Sequence, residues 1–272
     1  MRNRRKTTLV LLIFACILLF VISLTGAFLA KQAGITDFSR KNLSPCPAFL
    51  FGTDWMGRDM LARTLAGLSL SLRVGVLTAA VSGLLALALG IASAVCGGWV
   101  DAAISWVIDL VLGIPHILLI ILISLACGRG LFGVTAGVAL THWTALARLI
   151  RGEVLQLKEA PWLRMSRKLG VSRRDLLRNH LLPHLLPQFL TGLILQFPHA
   201  ILHEAGVTFL GFGLSPEQPA IGVILEESMA YLTTGRWWLA LFPGLSLVGV
   251  VMLFALVGER LRLLLSPASA QE

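Results

Sequence analysis

The sequence predicts an all-α membrane protein with six transmembrane helices. Of its 272 residues, 56% are hydrophobic and only 14% are charged, whereas a soluble domain carries about 25% charged residues. The apolar residues form six blocks, and about 20 residues suffice to cross a bilayer. Because the charged residues lie in segments between these blocks, the net charge of +9 reflects membrane topology rather than nucleic-acid binding.

The first expected span, residues 9–30, follows a basic N-terminus. A cleaved signal peptide is the alternative, but its apolar region would be shorter, about 7–15 residues. The second span is rich in small residues that let membrane helices approach closely. Pro115 is expected to kink the third span. The five later spans are expected at 72–96, 104–126, 131–150, 185–212 and 237–258.

The distribution of basic residues supports this topology. Of the 23 Lys and Arg residues, 15 fall in the segments predicted to be cytoplasmic and 8 in those predicted to lie outside. This bias has the sign of the positive-inside rule. The sequence therefore predicts a multi-pass membrane protein with both termini in the cytoplasm.

The long polar stretch at 151–187 is predicted to form a helix, a glycine turn and a second helix. Pro161 suits the first helical position and Gly170 a left-handed stop. Ser172 can cap the second helix, which Pro183 and Pro187 are expected to limit. The first helix has an apolar stripe opposite a basic one, so it either lies on an anionic membrane surface or docks onto a partner.

This stretch resembles the cytoplasmic coupling loop of bacterial ABC-transporter permeases. That loop usually reads Glu-Ala-Ala, then a glycine and, further on, an apolar pair before a proline. Here Arg164-Met165-Ser166 stands where Glu-Ala-Ala is usual, and Gly170 and Pro183 keep their places. The resemblance implies a type I ABC importer permease fold with a cytoplasmic coupling helix. The residues implied in coupling to the ATPase are Trp162, Leu163, Arg164, Met165, Ser166, Leu169, Gly170 and Pro183.

Further motifs extend the resemblance over residues 51–267. The run FGTDWMGRD at 51–59 reads alone as a polar lead-in to the second span, in which Thr53 or Asp54 can start a helix. The run also resembles a segment of the second permease subunit of peptide and nickel importers. Residues 208–214 and 258–262 resemble the ends of that family's fifth and sixth spans. The family residues implied on the extracytoplasmic side are Gly52, Asp54, Gly57, Arg58 and Asp59.

Three regions are expected along the chain. Residues 1–68 hold a cytoplasmic tail, the first span and an extracytoplasmic segment. Residues 69–258 form the permease domain with its coupling loop at 151–187, and residues 259–272 form a cytoplasmic tail. Four isolated cysteines have no metal-finger spacing, and a bond between Cys46 and Cys127 is left open.

Ionisable residues in the fifth span are candidates for the translocation path. His199 and His203 are four residues apart and so share one helix face, and Glu204 follows. Imidazoles suit nickel, copper and zinc, so the two histidines are predicted to contact metal transiently. A hydrogen-bonded contact between helices is the alternative. The pattern around them and the run Thr141-His142-Trp143 resemble the nickel-importer branch, whereas His116 beside Pro115 is interpreted as structural.

The sequence contains no phosphate-binding Gly-x-x-x-x-Gly-Lys-Ser/Thr run and no nucleophile–base signature. We therefore expect a non-enzymatic subunit that binds no cofactor, with ATP used by partner subunits. The resemblance implies a permease importing nickel, free or chelated, with a dipeptide or oligopeptide importer as the alternative. The implied partners are a homologous second permease, two ATPase subunits, an extracytoplasmic substrate-binding protein and membrane lipid, but no nucleic acid. A membrane enzyme or a secondary carrier is the competing class.

Overall fold

The structure, a computed structural model, describes residues 4–265. Over these residues the chain is helical, with two isolated β-bridges and no strand. The helices are α1 (Arg4–Leu29), α2 (Met60–Cys96), α3 (Gly98–Gly113), α4 (His116–Ala126), α5 (Leu131–Glu159), α6 (Pro161–Lys168), α7 (Arg173–Leu176), α8 (Leu182–Phe209), α9 (Ile221–Leu232) and α10 (Trp238–Leu265). A π-helical turn, Leu177–Leu181, joins α7 to α8.

Four of the described helices, namely α1, α2, the helix ending with α8, and α10, are long and apolar enough to cross a membrane. The bent pair α3 and α4 makes a fifth span if its two halves cross together. The predicted fourth span corresponds to α5, whose sequence is interrupted by His142, Arg148 and Arg151. The six-span count therefore stays a prediction.

Helix α2 is the centre of the bundle, and α1, α5 and α8 all pack along it. Small residues permit the close approach. A Cβ atom on Gly26 of α1 would lie 2.0 Å from the carbonyl oxygen of Leu65, and one on Gly90 of α2 would lie 2.8 Å from that of Ala147. These contacts place the C-terminal end of α1 beside the N-terminal part of α2, and the C-terminal halves of α2 and α5 beside each other.

The third predicted span is broken rather than gently kinked. Helices α3 and α4 meet at an angle of 103° around Pro115. Ile114 is extended, with φ −92° and ψ 138°, because a residue before proline avoids the helical region. The break starts α4 at His116 and so fixes the position of that side chain.

Two expected helix limits were wrong. We expected Thr53 or Asp54 to start a helix, but the helix begins at Met60, where the Asp59 carboxylate accepts a hydrogen bond from the Leu61 N–H at 2.8 Å. Pro187 was expected to limit the second helix of the coupling loop, yet α8 runs through it. Helix α8 continues although Pro187 lacks an N–H, and it is packed along α2.

Helix α9 lies in the segment predicted as an outside loop between the fifth and sixth spans. Its buried residues pack against α2 and α8: a Cβ on Gly222 would approach the Ala205 carbonyl oxygen to 2.5 Å. The predicted boundary at residues 68 and 69 falls inside α2. Cys46 and Cys127 are not bonded to each other. The predicted C-terminal tail lies partly outside the described residues.

Candidate functional site

The predicted coupling loop, residues 151–187, has the helix–turn–helix form that its sequence predicts. Helix α6 begins at Pro161, and Gly170 after it has φ +83°, the left-handed conformation that glycine adopts readily. The Ser172 hydroxyl accepts a hydrogen bond from the Asp175 N–H at 3.1 Å and donates to its carboxylate at 2.6 Å. This cap starts α7, which continues through the π-turn into α8.

The apolar side chains of α6 and of Leu169, which directly follows it, divide into two sets. Leu163 is 0% exposed, so its side chain packs against other residues of this chain. Met165 and Leu169 are 63% and 81% exposed, and Trp162 is also exposed. Solvent exposure of this much apolar surface on one short helix is typical of a contact surface for another protein. The structure thus separates Leu163 from the other predicted coupling residues.

Polar contacts hold the coupling loop to the bundle. The Arg151 guanidinium donates two hydrogen bonds of 2.6 Å to the Asp101 carboxylate, one to each oxygen. The Lys158 ammonium donates to the Ala94 carbonyl oxygen at 2.7 Å. Since Ala94 lies in the last turn of α2, the loop is fixed at the C-terminal end of that helix. Arg164 pairs with Glu159, and Ser166 donates to the Trp162 carbonyl oxygen at 3.0 Å. Pro183 is exposed near the start of α8.

At the N-terminal end of α2, the predicted family motif forms a buried ionic network. The fully buried Asp54 carboxylate accepts from Arg58 Nε at 2.6 Å and from Arg63 Nη1 at 2.7 Å. It also accepts backbone N–H bonds from Met56 and Arg58, both at 2.9 Å. Arg63, only 2% exposed, donates from Nη2 to Glu227 of α9 at 2.7 Å. The network therefore joins the predicted extracytoplasmic segment, α2 and α9.

Two glycines of the same motif permit close backbone approach. Gly52 and Gly57 have φ values of +72° and +74°. A Cβ atom on Gly57 would lie 1.8 Å from the Asp37 carbonyl oxygen, and one on Gly52 would lie 2.6 Å from that of Leu43. Larger residues cannot occupy either position without moving the backbone. All five predicted motif residues thus act in one folded segment.

The three predicted translocation residues have different surroundings. His199 is exposed, and its carbonyl oxygen accepts a hydrogen bond from His203 Nδ1 at 2.7 Å. Glu204 is fully buried between α8 and α2, where its carboxyl oxygens contact the hydroxyls of Ser71 at 2.6 Å and Thr208 at 3.1 Å. His203 points elsewhere, because residues adjacent in a helix face different directions.

His203 lies against two histidines from other helices, His116 at the start of α4 and His142 in α5. Their ring centroids are 4.7–5.1 Å apart. Each residue is half-buried, and one potential ligand atom from each lies within 4.8 Å of the others. Three imidazoles in this arrangement are suited to binding a transition-metal cation.

The sequence predicted a pair of His199 and His203, because helical spacing predicts which residues share a face of one helix and not which residues meet between helices. His116 was interpreted as structural, and His142 was noted only within a motif. The signal for His116 was the adjacent Pro115, since a break at that proline sets where α4 begins. Nothing in the spacing of His142 indicates that it meets the other two rings.

Comparison with known proteins agrees with this architecture. Residues 86–271 match the family described as "Binding-protein-dependent transport system inner membrane component". The dipeptide transport system permease protein DppC of Bacillus subtilis is 30% identical over 256 residues, covering 94% of this chain and 80% of its own length. The oligopeptide transport system permease protein OppC of Mycobacterium bovis is 32% identical over 235 residues, covering 86% and 80%.

A solved structure of the MetNI methionine ABC transporter, in inward-facing conformations, has a chain of similar fold. The TM-score is 0.60 at 19% identity, and the match covers 76% of this chain and 98% of that one. At this identity the likeness shows the fold alone, which is that of a type I ABC importer permease.

The helical bundle and the proteins similar to it in sequence and structure define the class of the molecule as a transport component of the inner membrane. The chain belongs to the family of binding-protein-dependent transport system inner membrane components, and it is a multi-pass permease of a binding-protein-dependent ABC importer. An importer of this kind needs an ATPase and a substrate-binding protein as partners. The relatives are named as permeases, which are transport components rather than catalysts.

Proposed function

We propose that this chain is the permease of an importer for short peptides and forms half of the translocation path. The observation that carries the substrate class is its relation to dipeptide and oligopeptide permeases, at 30% and 32% identity over 94% and 86% of the chain. This is the alternative that the sequence left open, and it replaces nickel as the leading substrate.

The proposed complex contains a homologous second permease, two ATPase subunits and an extracytoplasmic substrate-binding protein. ATP is bound by the ATPase subunits, and this chain binds no cofactor of its own. The exposed Met165 and Leu169 of the coupling loop support this arrangement, since a helix that docks in a groove presents an apolar face. The loop then transmits ATP-driven movement to α5 and α8, which flank it.

Nickel, free or chelated, is a second candidate substrate. The specific observation in its favour is the group of three imidazoles formed by His116, His142 and His203. His199 and Glu204, which the sequence placed on the same path, do not extend this group. A peptide that carries a metal ion is compatible with both substrate classes.

Uptake by cells that lack the importer, with and without the restored complex, tests the substrate. We expect the complex to restore uptake of a radiolabelled dipeptide, and unlabelled peptides to compete with it. Radiolabelled nickel, supplied alone and with excess dipeptide, is the parallel measurement. Restored nickel uptake without any peptide uptake would make nickel the substrate.

A further inference from the structure

We infer that His116, His142 and His203 form a binding site for one divalent first-row transition-metal cation. The site joins α4, α5 and α8, three helices that meet only in the tertiary structure. The inference extends beyond peptide import, because it assigns a ligand to a particular place in the permease whatever the cargo is.

The distances allow the three side chains to converge on one ion. Zinc-to-nitrogen bonds are about 2.0–2.1 Å, so nitrogens around a tetrahedral ion are separated by about 3.4 Å. The potential ligand atoms here lie within 4.8 Å of one another. Because the three side chains are half-buried, rotation about their side-chain bonds can shorten these separations.

Hydrogen bonds prepare two of the rings for metal binding. The Nδ1 atoms of His142 and His203 lie 2.9 Å and 2.7 Å from the carbonyl oxygens of Val138 and His199. A carbonyl oxygen can only accept, so Nδ1 must carry the proton in these bonds, and the Nε2 lone pair is then free. Metal-binding histidines are commonly oriented by such a bond from their second nitrogen.

The third ring has weaker partners. His116 Nε2 is 3.4 Å from both His142 Nδ1 and Thr141 Oγ1. These long contacts leave the ring able to turn toward a cation. Pro115 and the break that it causes hold the residue at the first position of α4, facing the other two helices.

A simple packing contact explains the arrangement less well. The three rings meet edge to face, with interplanar angles of 70–82°. Apolar aromatic rings pack in the same way, and they bury no polar nitrogen atoms. Polar nitrogens in a membrane-embedded bundle need partners. A cation supplies one partner to all three rings at the same time.

The ligand set is neutral and incomplete, which favours weak and reversible binding. Glu204 follows His203, but its carboxyl group contacts Ser71 and Thr208 instead of the imidazoles. Three protein ligands leave a coordination position open, as in catalytic zinc sites. Water or a donor atom of a chelating molecule can occupy that position, and the ion can leave again.

The test measures Ni²⁺ binding by the complete membrane complex, purified through a tag that contains no histidine. Equilibrium dialysis against NiCl₂ is compared for the wild type and for the variant with His116→Asn, His142→Asn and His203→Asn. Asparagine retains an amide near the position of Nδ1 but has no Nε2. We expect the wild type to bind one more Ni²⁺ per copy of this chain than the triple variant. His142→Asn alone should weaken binding by at least about tenfold, since even outer partners of a metal contribute about 10–100-fold.

His184→Asn is the matched control. This residue is exposed, and its ring is not part of the three-imidazole group. The variant should bind as the wild type does, and Mg²⁺, which prefers oxygen ligands, should not compete. Equal Ni²⁺ binding by the wild type and the triple variant would overturn the inference.

A second measurement on the wild type covers the case in which the triple variant does not assemble. Ni²⁺ should raise the Tm of the complex while Mg²⁺ does not, and X-ray absorption should show three imidazole nitrogens on the bound nickel. No shift in Tm and fewer than two imidazoles would overturn the site. These measurements involve no transport, so a failure of the peptide proposal leaves their outcome unchanged.

Discussion

The two ends of α2 differ in how far their surrounding side chains are buried within the chain. Helix α2 has 37 residues, so its ends are about 55 Å apart. At its N-terminal end, the buried Arg63 pairs with the buried Asp54 and with the partly buried Glu227. At its C-terminal end, the coupling loop leaves Met165 and Leu169 exposed. The charged groups at the first end find their partners within this chain, whereas the second end has exposed apolar surface that a partner protein can cover.

The difference separates an end of α2 that is held by internal ion pairs from an end at which we propose that a partner docks. A buried ionic network is sensitive to substitution, because removing one partner leaves another buried charge unpaired. An exposed amphipathic helix held by a few polar contacts can move with whatever covers it. The contrast predicts that substitutions at the first end lower stability and those at the second lower coupling.

The largest expected effect is an all-or-none difference in labelling from the two sides of the membrane. Glu217→Cys and Lys168→Cys are introduced separately into a chain whose own cysteines are replaced. The Glu217 probe should react with a membrane-impermeant thiol reagent added outside intact cells. The Lys168 probe should react only after the membrane is permeabilised. The same reagent applied to inverted vesicles is the control. Labelling of the Glu217 probe only from the cytoplasm would contradict the predicted topology.

The next largest effect is expected at Arg63. Arg63→Met leaves Glu227 without its closest ionic partner and removes one of two arginines from Asp54. Breaking a buried pair in this way costs about 3–5 kcal/mol. Thermal unfolding in detergent should therefore show a clearly lower Tm.

The matched control for Arg63 is Arg40→Met, which breaks the exposed pair between Arg40 and Asp37. Exposed pairs contribute about 0–1 kcal/mol. Equal unfolding temperatures for the two variants would show that the buried network does not hold this end of the molecule together.

At the opposite end, Gly170→Val should impair coupling while the bundle stays folded. A Cβ atom there meets nothing within 4 Å, so the cost comes only from the positive φ of +83°. Left-handed backbone costs an ordinary residue about 1–2 kcal/mol. We expect less ATPase subunit to co-purify with the variant and transport to decrease.

Gly170→Asn separates conformation from side-chain size, since asparagine tolerates the left-handed region better than valine. It should retain more coupling than the valine variant. Gly152→Ala, in open space within α5, is the control that should behave as the wild type does. Equal loss of coupling in the valine and asparagine variants would contradict the role assigned to the turn.

A smaller effect is expected when apolar surface is removed from the coupling loop. Leu169→Ser should change the free energy of unfolding by less than about 0.5 kcal/mol, because the side chain is already exposed. Its effect should appear as weaker association with the ATPase in a pull-down assay. Leu163→Ala should behave in the opposite way, with a stability loss of about 2–5 kcal/mol, because Leu163 is buried. Wild-type association of the Leu169→Ser variant would exclude this side chain from the contact.

Local sequence was sufficient to predict the elements that depend on backbone preference. Pro161, Gly170 and Ser172 define the coupling loop because each has a conformational or hydrogen-bonding property that acts over a few residues. The helical class and most of the apolar blocks follow from composition and length in the same way. The motif at 51–59 was identified as one unit, although its ionic partner Glu227 was not.

The continuation of α8 through Pro187 and the presence of α9 depended on packing. Each concerns a segment whose local signals favour a loop or a helix end, while contacts with distant helices make the longer or additional helix more stable. Propensity in a short window does not include those contacts.

The sequence by itself determined that this protein is helical and membrane-embedded, with a helix–turn–helix segment within residues 151–187 and histidines in its apolar blocks. Only the tertiary structure decided which histidines meet. His199 and His203 share a helix face, but His203 meets His116 and His142 because the break at Pro115 and the packing of α5 and α8 bring three helices together. Helical periodicity specifies neighbours within one helix, whereas contact between helices depends on where each begins, bends and packs.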